Sequence, residues 1–385
     1  MQSIRVNDGS FLMPQRPSGR TTERRKRLAL LLPGHNEELI IAATIESAVK
    51  AGQNRDDIYV VDDNSSDKTR QEALKHLSKE NVLSVERSGK AGAVQKAIKH
   101  FGIEYRYTWV HIADADSIFC PNYFNIYRDN LDANKYVAAV GFVQSLRGNW
   151  ISRYRSFSYT YGQHIFRRIQ GWLGMISVMP GPVTCFQTGI LRDLDFQTGS
   201  LTEDYDLTLQ VHRKKLGRIK FIPDAINYTQ DPRTMSDFIK QTLRWQRGFF
   251  QGVKSHRIGI HSQRIDFGVG YQMLETVLYL IQLFIIIPWV IFSKHDAHLL
   301  LLIIGGDYLV LCILAVLSAA AARRASILMA IPYYYPMRLL ELGIFLMAFF
   351  EVMVLRRFST MHVVGWGTEG RRYKIDEAAL KDVAQ

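Results

Sequence analysis

From Leu28 onward, short apolar runs of strand length alternate with stretches of helical periodicity, and few folds accommodate that order. LALLLP (Leu28 to Pro33) is apolar throughout, as a strand covered on both faces must be. IYVVDD (Ile58 to Asp63), NVLSVE and YTWVHIADAD follow, each after an interval long enough for a helix. The first helix is predicted over GHNEELIIAATIESAVKAG, with Glu37 and Glu38 in its first turn and Gly52 after its end. Asp67 can cap a second helix that runs through Leu77, and GKAGAVQKAIKHF supplies a third. Such alternation builds an α/β fold on a mainly parallel sheet with helices on both faces. Tyr136 to Val143, the GPVTCFQTGIL segment and IKFIPDA add further strands. Between the last two, SLTEDYDLTLQVHRKKLG reads as a helix that Thr202 can cap.

Sheets of this kind bind ligands outside the carboxyl ends of their strands. Two acidic pairs fall there, Asp62 with Asp63 and Asp114 with Asp116. Strand-end carboxylates often do no more than cap the next helix. Two separate pairs, one spaced D-x-D so that alternate side chains share a face, exceed what capping requires. D-x-D is a natural seat for Mg²⁺ or Mn²⁺, which keeps positions open for phosphate oxygens. Asp63 is better placed to accept hydrogen bonds from a base or ribose. Glu203, Asp204 and Asp206 occupy the first turn of the Thr202 helix. There they either compensate the helix dipole or supply one general base for an attacking hydroxyl. In QTLRWQRG (Gln241 to Gly248), helical spacing puts Gln241, Arg244, Trp245 and Gly248 on one face. An amide, a guanidinium and an indole together suit a phosphate-bearing ligand with flat apolar faces. The alternative is an interfacial helix anchored by its Trp.

Apolar residues are unevenly spread. Leu, Ile, Val, Phe and Ala dominate from roughly Tyr271 to Leu355. Two runs there, about Val269 to Phe292 and about Leu299 to Ala322, approach the roughly twenty residues that a bilayer requires. Asp307 lies within the second and is expected to face protein or water. The third run, Ile327 to Leu355, is interrupted by Pro332, Pro336, Arg338, Glu341 and Glu351. It reads as interfacial or re-entrant, because a full span would carry Arg356 and Arg357 outside, against the positive-inside rule. Tyr154 to Met179, with Arg167 and Arg168 beside Trp172, is either an interfacial segment or an acceptor wall.

A net charge of +12 is met by an anionic membrane leaflet and a phosphorylated substrate. The run Arg24 to Arg27 fits lipid contact and simple solvation equally well. A nucleic-acid binder needs a basic aromatic stripe, whereas the acidic residues here gather at strand ends, so no nucleic acid is expected. Cys120, Cys185 and Cys312 lack zinc or disulfide spacing, in keeping with a reducing compartment.

PGHNEE, VVDDNSSD, GKAGAV, ADADS, TED and QTLRW occur in the order and approximate spacing of the membrane-integrated family 2 glycosyltransferases. Residues 28 to 375 resemble that group, which includes cellulose, chitin, hyaluronan and poly-N-acetylglucosamine synthases. The resemblance implies a GT-A catalytic domain with a Rossmann-like sheet, a UDP-sugar donor, Mg²⁺ or Mn²⁺, and inversion at the anomeric carbon. By position it implies donor binding by Glu37, Asp62, Asp63, Lys90, Asp114, Asp116 and Arg244, with Asp114 and Asp116 as metal ligands. It makes Asp204 the catalytic base, and gives Glu203, Gln241, Arg244 and Trp245 to the diphosphate and acceptor. GWGTEGRR (Gly365 to Arg372) is similar to a W-G-T-x-G-R gating segment, with Trp366, Thr368 and Arg371 in gating positions.

The implied organisation is a basic lead-in over 1–27, a GT-A domain over 28–266, a membrane region over 267–357 and a gating-like tail over 358–385. A multi-pass protein of the cytoplasmic (inner) membrane is expected, extending a polysaccharide or glycan acceptor at the cytoplasmic face. The alternative is a single transfer onto a polyprenyl-phosphate or other lipid acceptor. Such synthases usually carry spans ahead of the catalytic domain. With none expected here, a sealed channel would call for a homo-oligomer or a partner subunit.

Overall fold

The computed structural model describes residues 28–293 and 297–357. Eight strands build one sheet: β1 (Leu28–Gly34), β2 (Ile58–Asp63), β3 (Val82–Val85), β4 (Trp109–Ile112), β5 (Ile118–Phe119), β6 (Ala138–Ser145), β7 (Thr184–Gln187) and β8 (Ile219–Thr229). The unbroken apolar run of β1 serves two cores. Leu28, Leu30 and Leu32 face one side with Ile41, Ile45 and Ala48 of the helix Ile41–Lys50. Ala29 and Leu31 face the other with Ala93, Val94 and Ala97 of the helix Gly89–His100. A strand with helices on both faces has no side on which a polar residue could meet water.

The strand order is β3-β2-β1-β4-β7-β6-β8-β5. β3, β2, β1 and β4 pair in parallel, as do β6 and β8. β7 runs against both β4 and β6, and β5 runs against β8, so the sheet is mixed. Register brings Gly34 of β1 opposite Asp62 of β2, and Leu31 opposite Ile112 of β4. The carboxyl ends of these three strands therefore open on the same edge.

Local details depart from the sequence reading. The first helix begins at Ile41, so Glu37 and Glu38 precede it. The cause is a loop tied to its neighbour: Glu37 N donates to Thr69 Oγ1 at 2.7 Å and Glu38 N to Asp67 Oδ2 at 3.1 Å. Asn36 turns the chain there with φ +56°, a conformation that asparagine tolerates better than most residues. Asp67 does accept from Thr69 N at 2.9 Å, but that helix stops at Leu74. Thr202 precedes the helix Glu203–Arg213 without capping it through its side chain. Its side chain instead abuts Gly248.

Two C-terminal segments, Arg264–Phe292 and His298–Ala321, are long and apolar enough to cross a membrane. The third run forms the helix Ile331–Phe349, with Pro336 in its interior. It packs on the helix Met235–Ser255, where Phe250 meets Ala348 and, in the turn Phe350–Val354 that follows, Val352. Asp307 faces protein, accepting from Tyr335 Oη at 2.8 Å and lying 3.2 Å from Arg338 Nη1. Arg24 to Arg27 and the gating-like Trp366, Thr368 and Arg371 lie outside the described residues.

Candidate active site

At the shared strand edge lies a cavity of about 750 Å³. Its walls bring together Glu37, Lys90, Asp114, Asp116, Glu203, Asp204, Gln241, Arg244 and Trp245, which are scattered over two hundred residues of sequence. Asp114 and Asp116 sit in the short connection between β4 and β5. Asp62 and Asp63 sit behind this wall and do not line the cavity. Asp63 is fully buried and accepts from Ser88 N at 2.7 Å and Gly89 N at 2.9 Å. Those bonds hold the start of the helix Gly89–His100 against β2 and so aim Lys90 into the cavity. Asp62 accepts from Ser65 N and from Ser84 Oγ, each at 3.2 Å.

Charge is concentrated on one side. Lys90 Nζ stands 2.5 Å from Asp114 Oδ1 and 2.9 Å from Glu203 Oε1. Burial opposes the charge on Lys90, but Asp114 and Glu203 outweigh it and hold the ammonium protonated above its ordinary range. Burial likewise opposes ionisation of Glu203, yet Lys90 and then Arg244 keep it below the usual carboxylate range. Asp204 goes the other way. Burial, then repulsion from Glu203, push it up to about 6, against the pull of Lys90 and of the Tyr205 and Gly181 amides. Gly181 N donates to Asp204 Oδ2 at 3.1 Å. Two adjacent acids whose surroundings drive their pKa values apart can divide roles, one staying ionised while the other exchanges a proton near neutrality.

The helix Met235–Ser255 forms the opposite wall. Thr234 caps it, accepting from Asp237 N at 3.2 Å. Two glycines let it lie close against the helix Glu203–Arg213: a Cβ on Gly248 would strike the Thr202 side chain, and one on Gly252 would come within 2.5 Å of Tyr205 Cε1. Arg244 Nη1 donates to Leu201 O at 3.0 Å, which ties this helix to the loop leading into Thr202. Gln241, Arg244, Trp245 and Gly248 do share one face, as their spacing predicts, with the first three on the cavity and Gly248 in the helix contact.

The segment containing Arg167 faces two ways. Tyr159, Gln163, Phe166 and Arg167 line the cavity, whereas Trp172 is exposed. Burial lowers Arg167 to about 10, with Asp204 opposing the shift. Tyr271, Gln272 and Glu275, on the first of the two membrane-length segments, complete the far end. Sequence reasoning missed Arg155, which is buried with its guanidinium carbon 4.6 Å from the centroid of the Trp245 ring. Nothing in WISRYRSF distinguishes it from the neighbouring Arg153.

Carboxylate oxygens are the right donors for Mg²⁺ or Mn²⁺. No group of three or more metal-ligating side chains occurs among the described residues. Two aspartates suffice where phosphate oxygens complete the shell, and Asp114 and Asp116 share the cavity wall. A methyl group in place of the Gly181 hydrogen would lie 2.7 Å from Lys90 Nζ and 3.2 Å from Asp114 Oδ1, so glycine keeps this charged corner open.

Comparison with known proteins agrees with this architecture. Residues 26–248 match the family described as glycosyltransferase like family 2. Poly-beta-1,6-N-acetyl-D-glucosamine synthase of Staphylococcus aureus is 25% identical over 250 residues, covering 61% of this chain and 59% of the relative. The synthase of the same name from Staphylococcus epidermidis is 24% identical over 288 residues, covering 71% and 66%. The chain thus spans about three fifths of the length of the S. aureus relative. In fold it is similar to the mannosyltransferase PcManGT from Pyrobaculum calidifontis, solved in complex with GDP-Man and Mn2+, with TM-score 0.53, 18% identity and coverage of 80% and 86%. With more than half of its length matching the family, this GT-A-like chain belongs to the family 2 glycosyltransferases.

Proposed function

We propose that the protein transfers a sugar, with inversion, from a UDP-sugar to a growing glycan at the cytoplasmic face of the inner membrane. The observation that carries this reading is a single cavity in which Asp204, raised to about 6, lies between a charged corner and an amide–guanidinium–indole wall. Lys90, Asp114 and Asp116 form the corner suited to a diphosphate, with Glu37 beside it and Asp62 and Asp63 supporting the uridine end. Asp114 and Asp116 would hold a divalent cation, which when bound neutralises charge on the leaving diphosphate. The Pyrobaculum mannosyltransferase was solved in complex with both GDP-Man and Mn2+.

The reaction is an in-line displacement. An acceptor hydroxyl oxygen bonds to the anomeric carbon, the bond from that carbon to the diphosphate breaks, and UDP leaves. Asp204 takes the hydroxyl proton, while Glu203, ionised beside Lys90, keeps the ammonium oriented toward the phosphates. Arg244 and Gln241 face the diphosphate, and Trp245 offers a flat surface to a pyranose ring. N-acetylglucosamine is the sugar suggested by the relatives named above. The segments 264–292 and 298–321 would anchor the GT-A domain, 28–266, to the bilayer. One observation favours single transfer to a lipid-linked acceptor as a second reading: Tyr271, Gln272 and Glu275 of a membrane-length segment line the same cavity.

Membranes containing the protein, incubated with UDP-N-acetylglucosamine and Mn²⁺, should release UDP and lengthen a β-1,6-linked N-acetylglucosamine pentamer. A single addition that stops, with radiolabel passing into the lipid fraction, selects the second reading. Absence of UDP release with this and every other UDP-sugar overturns both.

A further inference from the structure

We infer that Arg155 is a positioning residue that sets the orientation of the amide–guanidinium–indole wall (Gln241, Arg244 and Trp245) and links it to the helix Ile331–Phe349. The inference rests on the glycosyl-transfer reading. Arg155 stands on the helix Trp150–Tyr161 and is only 4% exposed. Its guanidinium carbon is 4.2 Å from the Phe238 ring centroid and 4.6 Å from that of Trp245, in contact with both rings. Nη2 donates to Thr242 Oγ1 at 2.7 Å and to Gln241 Oε1 at 3.3 Å. One side chain therefore contacts Gln241 and Trp245, the two uncharged members of the amide–guanidinium–indole wall. A planar cation against an aromatic face fixes the ring more tightly than apolar packing does, because the attraction depends on the angle between them.

Behind this contact lies a chain of polar groups. Arg155 Nη1 is 4.0 Å from Glu341 Oε1, and Tyr154 Oη donates to Glu341 Oε2 at 2.9 Å. Glu341 is on the helix that follows the second membrane-length segment, and it does not line the cavity. A shift of that helix would move the partner of Arg155 and, through it, the tilt of the Trp245 ring. Phe238 and Met337 pack together in the same region, so the two helices are in direct contact.

The test compares steady-state kinetics of the full-length protein in membranes, with UDP-N-acetylglucosamine as donor and a β-1,6-linked N-acetylglucosamine pentamer as acceptor. Arg155→Lys keeps the charge but loses the plane and the forked donors. Assayed at a temperature where the variant is folded, it should raise the acceptor KM and lower kcat, each by about tenfold, with a smaller rise in the donor KM through Gln241. Glu341→Gln, which removes the charge facing Arg155 and does not line the cavity, should raise the acceptor KM in the same direction by less. On a Trp245→Leu background, Arg155→Lys should raise the acceptor KM no further. An unmoved acceptor KM, equal changes in donor and acceptor KM, or additive effects with Trp245→Leu would overturn the role of Arg155 and leave the glycosyl-transfer reading standing. Failure of wild-type membranes to release UDP would overturn that reading first, and this inference with it.

Discussion

Asp204 and Asp116 both line the cavity, one assigned to the acceptor proton and the other to the cation. Asp204 is pushed up to about 6 by burial and by Glu203. A base works only when deprotonated, so the rate should rise with pH through about 6 and level off above it. Asp204→Asn should lower kcat by a hundredfold or more, within the ~10²–10⁴ that a positioned base supplies, and leave UDP affinity in calorimetry nearly intact. Parallel loss of UDP binding would move Asp204 to the donor side. Asp116→Asn removes a charge from the proposed cation seat. Its Mn²⁺ requirement for half-maximal UDP binding should increase by at least the roughly tenfold that even changes around a metal's ligands cost. An unchanged Mn²⁺ titration would detach Asp116 from the cation.

At the scale of elements, the close contact between the helices Met235–Ser255 and Glu203–Arg213 governs the geometry of the site. Gly248 against Thr202 and Gly252 against Tyr205 allow it, and Arg244 to Leu201 O stitches it. Gly248→Ala should push Thr202, and with it Glu203 and Asp204, away from the wall that carries Arg244. Overpacking of this kind costs about 1–3 kcal/mol of stability. The informative measurement is the ratio of the two losses. At a temperature where the variant is fully folded, kcat should still fall, because the carboxylates no longer face the same point as Arg244. Wild-type turnover by a folded Gly248→Ala protein would show that this spacing is not critical.

For the molecule as a whole, apolar side chains on the segments 264–292 and 298–321, among them Leu278, Phe284, Leu302, Leu309 and Val316, are exposed to an extent unusual for a water-soluble surface. At the end of the second segment, Arg324 Nη1 donates to Ser145 O at 2.8 Å, so this end is pinned to the catalytic sheet. The proposed orientation puts the turn at Ser293 on the far side of the membrane from the cavity. In a Cys312→Ser background, Ser293→Cys should react with a membrane-impermeant maleimide on intact cells, and Lys254→Cys should not. Labelling of both or of neither would refute a two-span hairpin with an inside catalytic domain.

What the sequence determined by itself was local and periodic. β1 and β2 were legible because full apolar runs have few alternatives, and the single face of Gln241, Arg244, Trp245 and Gly248 followed from helical spacing alone. The parallel half of the sheet was implied by alternation, but the antiparallel placement of β7 and β5 was not, since strand direction depends on which edge a returning chain meets. Only the tertiary structure separated the acidic pairs. Asp63 receives amides twenty-five residues along the chain, whereas Asp114 and Asp116 open on the cavity. Glu37 joined the site because its loop is bonded to Thr69 instead of continuing as a helix. Arg155 could not be picked out from Arg153 in the sequence, because what distinguishes it is the pair of aromatic rings and the amide that another helix brings around it. Periodicity reports which face of an element is buried, but a side chain's partner across the fold is decided by packing between segments that the sequence keeps far apart.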